Sequence, residues 1–145
     1  MGSAASFPVG AKPVTLAAAD FNGDGRTDLV AANSGASSVS VLLGNAATTT
    51  ATLQSYPNPA KPGQTVTFKA IVRVQSYPYF GLPGGTVTFA DAGIPMPGGT
   101  VPLNGTSALF TISTLSVGTH SITAAYSGDA KFAAITSAAL NEVVR

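Results

Sequence analysis

Residues 64–74, QTVTFKAIVRV, carry an apolar side chain at every second position: Val66, Phe68, Ala70, Val72 and Val74. A period of two gathers these side chains on one face of a β-strand and scatters them around a helix. The theme recurs along the chain. TTTATLQS (48–55) comes before it. GTVTFAD (85–91) offers Val87 and Phe89, and TVPL (100–103) is short. TSALFTI (106–112) alternates Ala108, Phe110 and Ile112, and THSITAAYS (119–127) alternates Ile122, Ala124 and Tyr126. KFAAITSAALNEVV (131–144) closes the series. The chain has 16 Gly and 10 Pro, and they punctuate these runs as turns. Seven short strands with half-buried faces predict an antiparallel two-sheet sandwich whose alternating residues meet in one core. No stretch sustains a helical period, so the expected class is all-β.

A segment of different character precedes the sandwich, over residues 7–45. PVTLAAA (13–19) puts Val14, Leu16 and Ala18 on one face, DLVAAN (28–33) is short and apolar, and SSVSVLL (37–43) alternates. Tight turns join the three, which predicts a three-stranded antiparallel meander. Residues 46–145 then form the sandwich domain, reached through a polar, Thr-rich junction. The opening MGSAAS (1–6) reads as an initiator with a cloning linker and is left out of the fold. The parent chain is expected to be longer, with its targeting signal outside this stretch.

The turn between the first two strands, DFNGDGRTDL (20–29), holds three of the chain's six acidic residues. Counting from Asp20, oxygen-bearing side chains fall at alternate positions: Asp20, Asn22, Asp24, then Asp28 at the ninth. Arg26 takes the seventh. Hard cations such as Ca²⁺ are wrapped by this kind of spacing, with a backbone carbonyl among the ligands. Carboxylates this close repel one another unless a cation offsets the charge. An EF-hand would carry Glu at the twelfth position, where this chain has Ala31, and would be flanked by helices. A metal-free reading stands beside this one, because Asn, Asp and Gly favour turns with no ion present.

The stretch FPVG…AAADFNGDGRTDLVAANSG…VSVLLGN resembles the FG-GAP/VCBS-type repeat of β-propellers over about one blade. The resemblance implies a calcium loop in which Asp20, Asn22, Asp24 and Asp28 supply side-chain oxygens and Arg26 its carbonyl. A single blade cannot bury both faces, and repeat folds need about three units. The segment is therefore expected to be part of a propeller that continues upstream, or to pack on the sandwich. Its unpaired strand edges invite self-association. Residues 48–145 resemble a bacterial Ig-like repeat domain, on SYPNPAKPGQTVTFKA, GTVTFAD, LSVGTHSITAAYSGD and TSAALNEVV. That resemblance implies an extracellular spacer or adhesion module, without the paired Cys and Trp of other Ig domains.

Charged residues make up 9% of the chain and its formal net charge is +1. Nucleic-acid binding needs a clustered basic face, which this chain does not offer. No apolar run approaches the roughly 18 residues that span a bilayer. The absence of cysteine removes disulfides and thiol chemistry.

Tyr77, Tyr79 and Phe80 lie in the proline-rich connection VQSYPYFGLPGG (74–85). Exposed rings there could stack on sugar rings or anchor a protein partner, and a glycan-binding module is the alternative function. The plainer reading makes them a cap on the open end of the sandwich. A second proline-rich insertion is AGIPMPGG (92–99). His120, the single histidine, shares a parity with Ile122 and reads as half-buried and structural. Tyr126 reads as a buried ring whose hydroxyl bonds to backbone, and Asp129 as a turn former. A Lys61 or Lys69 amide bond to Asn141 is the remote possibility. No nucleophile–base pair stands out, so no enzyme is expected.

Overall fold

A computed structural model describes residues 6–74 and 81–145. The chain divides into two compact units, Met1–Asn45 and Ala46–Arg145. Among the described residues every regular element is a β-strand.

The first unit is a three-stranded antiparallel sheet, β1 (Pro13–Ala19), β2 (Asp28–Asn33) and β3 (Ser38–Leu42), in the order β1-β2-β3. Leu16 pairs with Ala31 and Ala18 with Leu29. The register shifts between Pro13 and Thr15, so Val14 falls in an irregularity and the alternation expected there is broken. Asp28, Ala31 and Asn33 of the central strand are buried, while every residue of β1 is exposed. Val14, Leu16, Val39, Val41 and Leu43 are all more than half exposed.

The second unit is a two-sheet β-sandwich. One sheet has the order β4-β5-β8: β4 (Thr49–Tyr56), β5 (Val66–Val74) and β8 (Ser107–Ile112). The other has the order β10-β9-β6-β7, with β11 also on β9. Its strands are β6 (Thr86–Asp91), β7 (Ile94–Pro102), β9 (Gly118–Tyr126), β10 (Ile135–Thr136) and β11 (Leu140–Val144). The alternating residues face inward as expected: Val66, Phe68, Ala70 and Val72 from β5, Val87 and Phe89 from β6, Ile122, Ala124 and Tyr126 from β9. Phe89 bridges the sheets, with its ring centroid 6.3 Å from Phe68 and 5.6 Å from Phe110. Each fully buried Phe contributes roughly 1.5–3 kcal/mol of transfer free energy.

Two segments depart from the sequence expectation. AGIPMPGG is not an insertion, because β7 begins at Ile94 and runs through both prolines. Among the described residues β7 is an edge strand paired only with β6, so it tolerates residues that lack an N–H. The last expected strand is two strands, both antiparallel to β9. Ser137 marks the break. Its Oγ accepts from Ala124 N at 3.1 Å, and its own N–H donates to Ala124 O at 2.9 Å.

The first strand touches both sheets. β4 pairs with β5 along its length. Just before β4, Ala47 bridges Phe132 in parallel, and just after it Ala60 bridges Val144 in parallel. Between those points the chain crosses from one sheet to the other through Pro57, Asn58 and Pro59.

Asp91 pairs with Ile94, leaving a two-residue hairpin of Ala92 (φ 47°) and Gly93 (φ 82°). Left-handed backbone at both positions is the type I′ turn, and a Cβ in that region costs about 1 kcal/mol. Ala92→Gly is therefore expected to raise the denaturant midpoint at unchanged m-value, by about that amount. Phe89→Ala is expected to cost about 3–5 kcal/mol by the same measurement.

Candidate functional site

The acidic turn carries β1 into β2. Gly23 (φ 78°) and Gly25 (φ 80°) take left-handed backbone, which aims successive N–H groups inward. Asp20 collects them. Its Oδ1 accepts from Gly23 N at 2.7 Å and Asp24 N at 3.1 Å, and its Oδ2 from Gly25 N at 2.8 Å. The Gly25 bond is the main reason its carboxyl is held below the usual value; partial desolvation opposes it, and the other N–H groups add to it. Asn22 Oδ1 accepts from Asp24 N at 3.0 Å, and Asn22 Nδ2 donates to Asp24 Oδ2 at 2.8 Å. Asp24 Oδ1 accepts from Arg26 N at 2.9 Å, and the Arg26 guanidinium pairs with Asp24 Oδ2.

Asp28 is 0% exposed, and both its oxygens are engaged: Oδ2 accepts from Phe21 N at 3.0 Å and Oδ1 from Gly44 N at 2.7 Å. Arg26 Nε donates to Gly44 O at 2.7 Å. Gly44 is the partner that sequence reasoning missed. A Cβ there would lie 2.4 Å from Thr27 O, so only glycine lets the end of β3 approach the turn this closely. The closing GN of VSVLLGN was the available signal.

The structure thus brings Asp20, Asn22, Asp24, Arg26 and Asp28 into one loop. Their donor chemistry, carboxylate and amide oxygens at alternate positions, suits a hard cation. In this arrangement the carboxylates face backbone N–H groups and the Arg26 guanidinium. Among the described residues, no three His, Asp or Glu side chains converge as a metal-holding group. Tyr77, Tyr79 and Phe80 lie outside the described residues.

Two further aspartates organise the sandwich. Asp129 Oδ1 accepts from Lys131 N and Phe132 N, and its Oδ2 accepts from Gly84 N. Burial pushes its carboxyl up, but these bonds outweigh it and hold the group below its ordinary value. The Tyr126 hydroxyl meets Asp129 Oδ2 at 3.4 Å rather than a backbone group. Burial first, then the Asp129 charge, pushes that phenol up to about 12. Asp91 Oδ1 accepts from Ser121 N, and its Oδ2 lies 2.6 Å from His120 Nδ1. His120 Nε2 lies 2.9 Å from Ser116 O. Both ring nitrogens therefore face acceptors, which favours the doubly protonated imidazolium. The Ser116 carbonyl first, then Asp91, raises its pKa above 6.5 against opposing desolvation. Lys61, Lys69 and Asn141 are exposed, so the environment that an internal amide bond requires is not present around them.

Residues 13–50 match the FG-GAP repeat, and residues 53–145 match the bacterial Ig-like domain (group 3). A solved structure of Clostridium thermocellum CbhA fibronectin(III)-like modules is similar at 14% identity and a TM-score of 0.46. The similarity covers 81% of this chain and 58% of that one. No curated protein matches.

Asp28→Ala would leave the part-buried Phe21 and Gly44 N–H groups without acceptors, at about 1 kcal/mol for each. Hydrogen exchange is expected to show lost protection at those two amides while the sandwich amides are unchanged. The raised His120 pKa carries its own signature. Its stabilisation is complete below pH 6.5 and disappears as pH rises through the higher folded value. Urea midpoints from pH 6 to 9 should fall over that window in the wild type and stay flatter in Asp91→Asn.

Proposed function

Residues 53–145 place this chain in the bacterial Ig-like domain (group 3) family, and we propose that it is a non-catalytic module that spaces or presents neighbouring domains of a larger extracellular protein. The observation that carries this reading is the parallel pairing of the sandwich's first and last segments. Ala47 pairs at Phe132 and Ala60 at Val144, both in parallel. The chain enters the sandwich beside the start of its final β segment and leaves at that segment's far end. Most of the separation between the two points is the run of β9 from Tyr126, opposite Ile135, to Gly118, opposite Val144, roughly 26 Å at 3.3 Å per residue. A domain with entry and exit at opposite poles adds its full length to a string of domains.

The three-stranded sheet is proposed to be one layer of a larger assembly of sibling repeats. Its exposed Leu16, Val39, Val41 and Leu43 support that, because apolar side chains on both faces call for cover. Adhesion through neighbouring domains or a protein ligand belongs to the same proposal. Ca²⁺ at the turn is proposed as the stiffening element. Asp20, Asn22, Asp24 and Asp28 would hold it with the Arg26 carbonyl, and the ion would supply the positive charge that the Arg26 guanidinium now gives Asp24.

A ligand that binds only the folded state raises its melting point. Calcium added to the whole chain is expected to raise the midpoint of the first unit relative to chelator, and Asp24→Ala should abolish the rise. Equal midpoints in calcium and chelator would remove calcium from the proposal.

A further inference from the structure

The parallel bridges set how the sandwich meets tension along its chain. Around the Ala60–Val144 bridge, Ala60 N donates to Val143 O at 2.8 Å and Arg145 N to Ala60 O at 3.0 Å. The Asn58 side chain extends this ladder. Its Nδ2 donates to Asn141 O at 2.7 Å, and its Oδ1 accepts from Val143 N at 3.2 Å. An amide side chain thus takes the place of a backbone residue where Pro57 and Pro59 flank it and bring no N–H of their own. At the other end Ala47 N donates to Lys131 O at 2.7 Å and Ala133 N to Ala47 O at 3.0 Å. Thr49 Oγ1 adds a bond to Ala133 O at 2.7 Å.

The direction of pull decides how such bonds fail. Tension between neighbouring domains draws the entering segment toward its own N-terminal side and β11 toward its C-terminal side. Two parallel segments pulled this way slide past one another. Bonds that run across the strands then stretch together and must break together. An antiparallel hairpin pulled at its open end unzips one bond at a time.

We propose that the parallel clasp of residues 58–60 on β11 is a force-bearing clamp, and that Asn58 is the residue that completes it. This deepens the spacer reading and rests on it, because a clamp has use only where the two poles are pulled. The core behind the clasp is anchored on the same strands: Ala60 and Val144 are 2% exposed and belong to the main apolar cluster. The clamp therefore cannot slip without unseating core residues.

The test is single-molecule force spectroscopy on the whole chain, tethered by its two ends. Release of Ala46–Arg145 identifies the sandwich, at roughly 340 Å of contour for its 100 residues. Asn58→Ala removes two of the four clasp bonds and should raise the unfolding rate at fixed force by roughly 10-fold or more, as expected for two bonds of ordinary strength. Phe110→Leu, in the core of β8 and away from the clasp, serves as the comparison. It should lower thermal stability at least as much and leave the force response closer to wild type. Ala60→Gly, which keeps the backbone bonds, guards against a fold defect in Asn58→Ala and should retain most of the resistance. Wild-type force resistance in Asn58→Ala, or force losses that merely follow thermal losses across the three variants, would overturn the clamp. The spacer reading is checked apart from this by spin labels at Ala46 and Arg145. A short distance between them sinks the spacer, whatever the force data give.

Discussion

Phe89 reaches from one sheet into the gap between Phe68 and Phe110 of the other. Neither sheet of the sandwich can hide its apolar face alone, so each strand's alternation has value only when the opposing face arrives. The ring contact marks the place where the two faces meet. The neighbouring inward residues, Ala70, Val72, Val87, Ile122 and Ala124, surround it at 0–1% exposure. Edge features follow from this centre. β7 tolerates Pro95 and Pro97 because, among the described residues, no strand pairs with its outer side, and the entering segment adds Ala47 and Ala60 to the same core.

A chain this poor in charge uses its aspartates chiefly as acceptors for backbone N–H groups. Asp20, Asp24 and Asp28 fold the acidic turn, Asp129 gathers the connection between β9 and β10, and Asp91 holds Ser121 and His120. The same chemistry that reads as cation binding in the sequence serves, in this arrangement, to satisfy a glycine-rich backbone. Glu142 is the exception. It is 0% exposed, sits across from His120 in the β9–β11 pairing, and has no hydrogen-bond partner on either oxygen among the described residues. Its charge is one of the influences that raise the His120 pKa.

The strands were largely legible because period-two patterns survive any tertiary context that has one wet face. β1 and β2 follow PVTLAAA and DLVAAN residue for residue. The misses have physical causes. IPMPGG hid a strand because proline argues against a ladder, and only an edge position removes the objection. The final strand looked continuous because Ser137 breaks the ladder without breaking the composition. The closing GN marked Gly44 as the end of a strand but not as the counterpart of Asp28, since that role is a close approach across sixteen residues.

The residues themselves determined the all-β class, the turn positions, the split near Asn45 and the grouping of the acidic turn. These are local matters: alternation, glycine's access to left-handed backbone, and the spacing of short polar side chains. Only the tertiary structure decided which strands share a sheet, that Phe89 meets Phe68 and Phe110, and that Asn58 stands in for backbone beside β11. Those facts depend on pairing between segments as much as 85 residues apart. Such pairing is chosen by closure of the whole core, which no short stretch of sequence encodes.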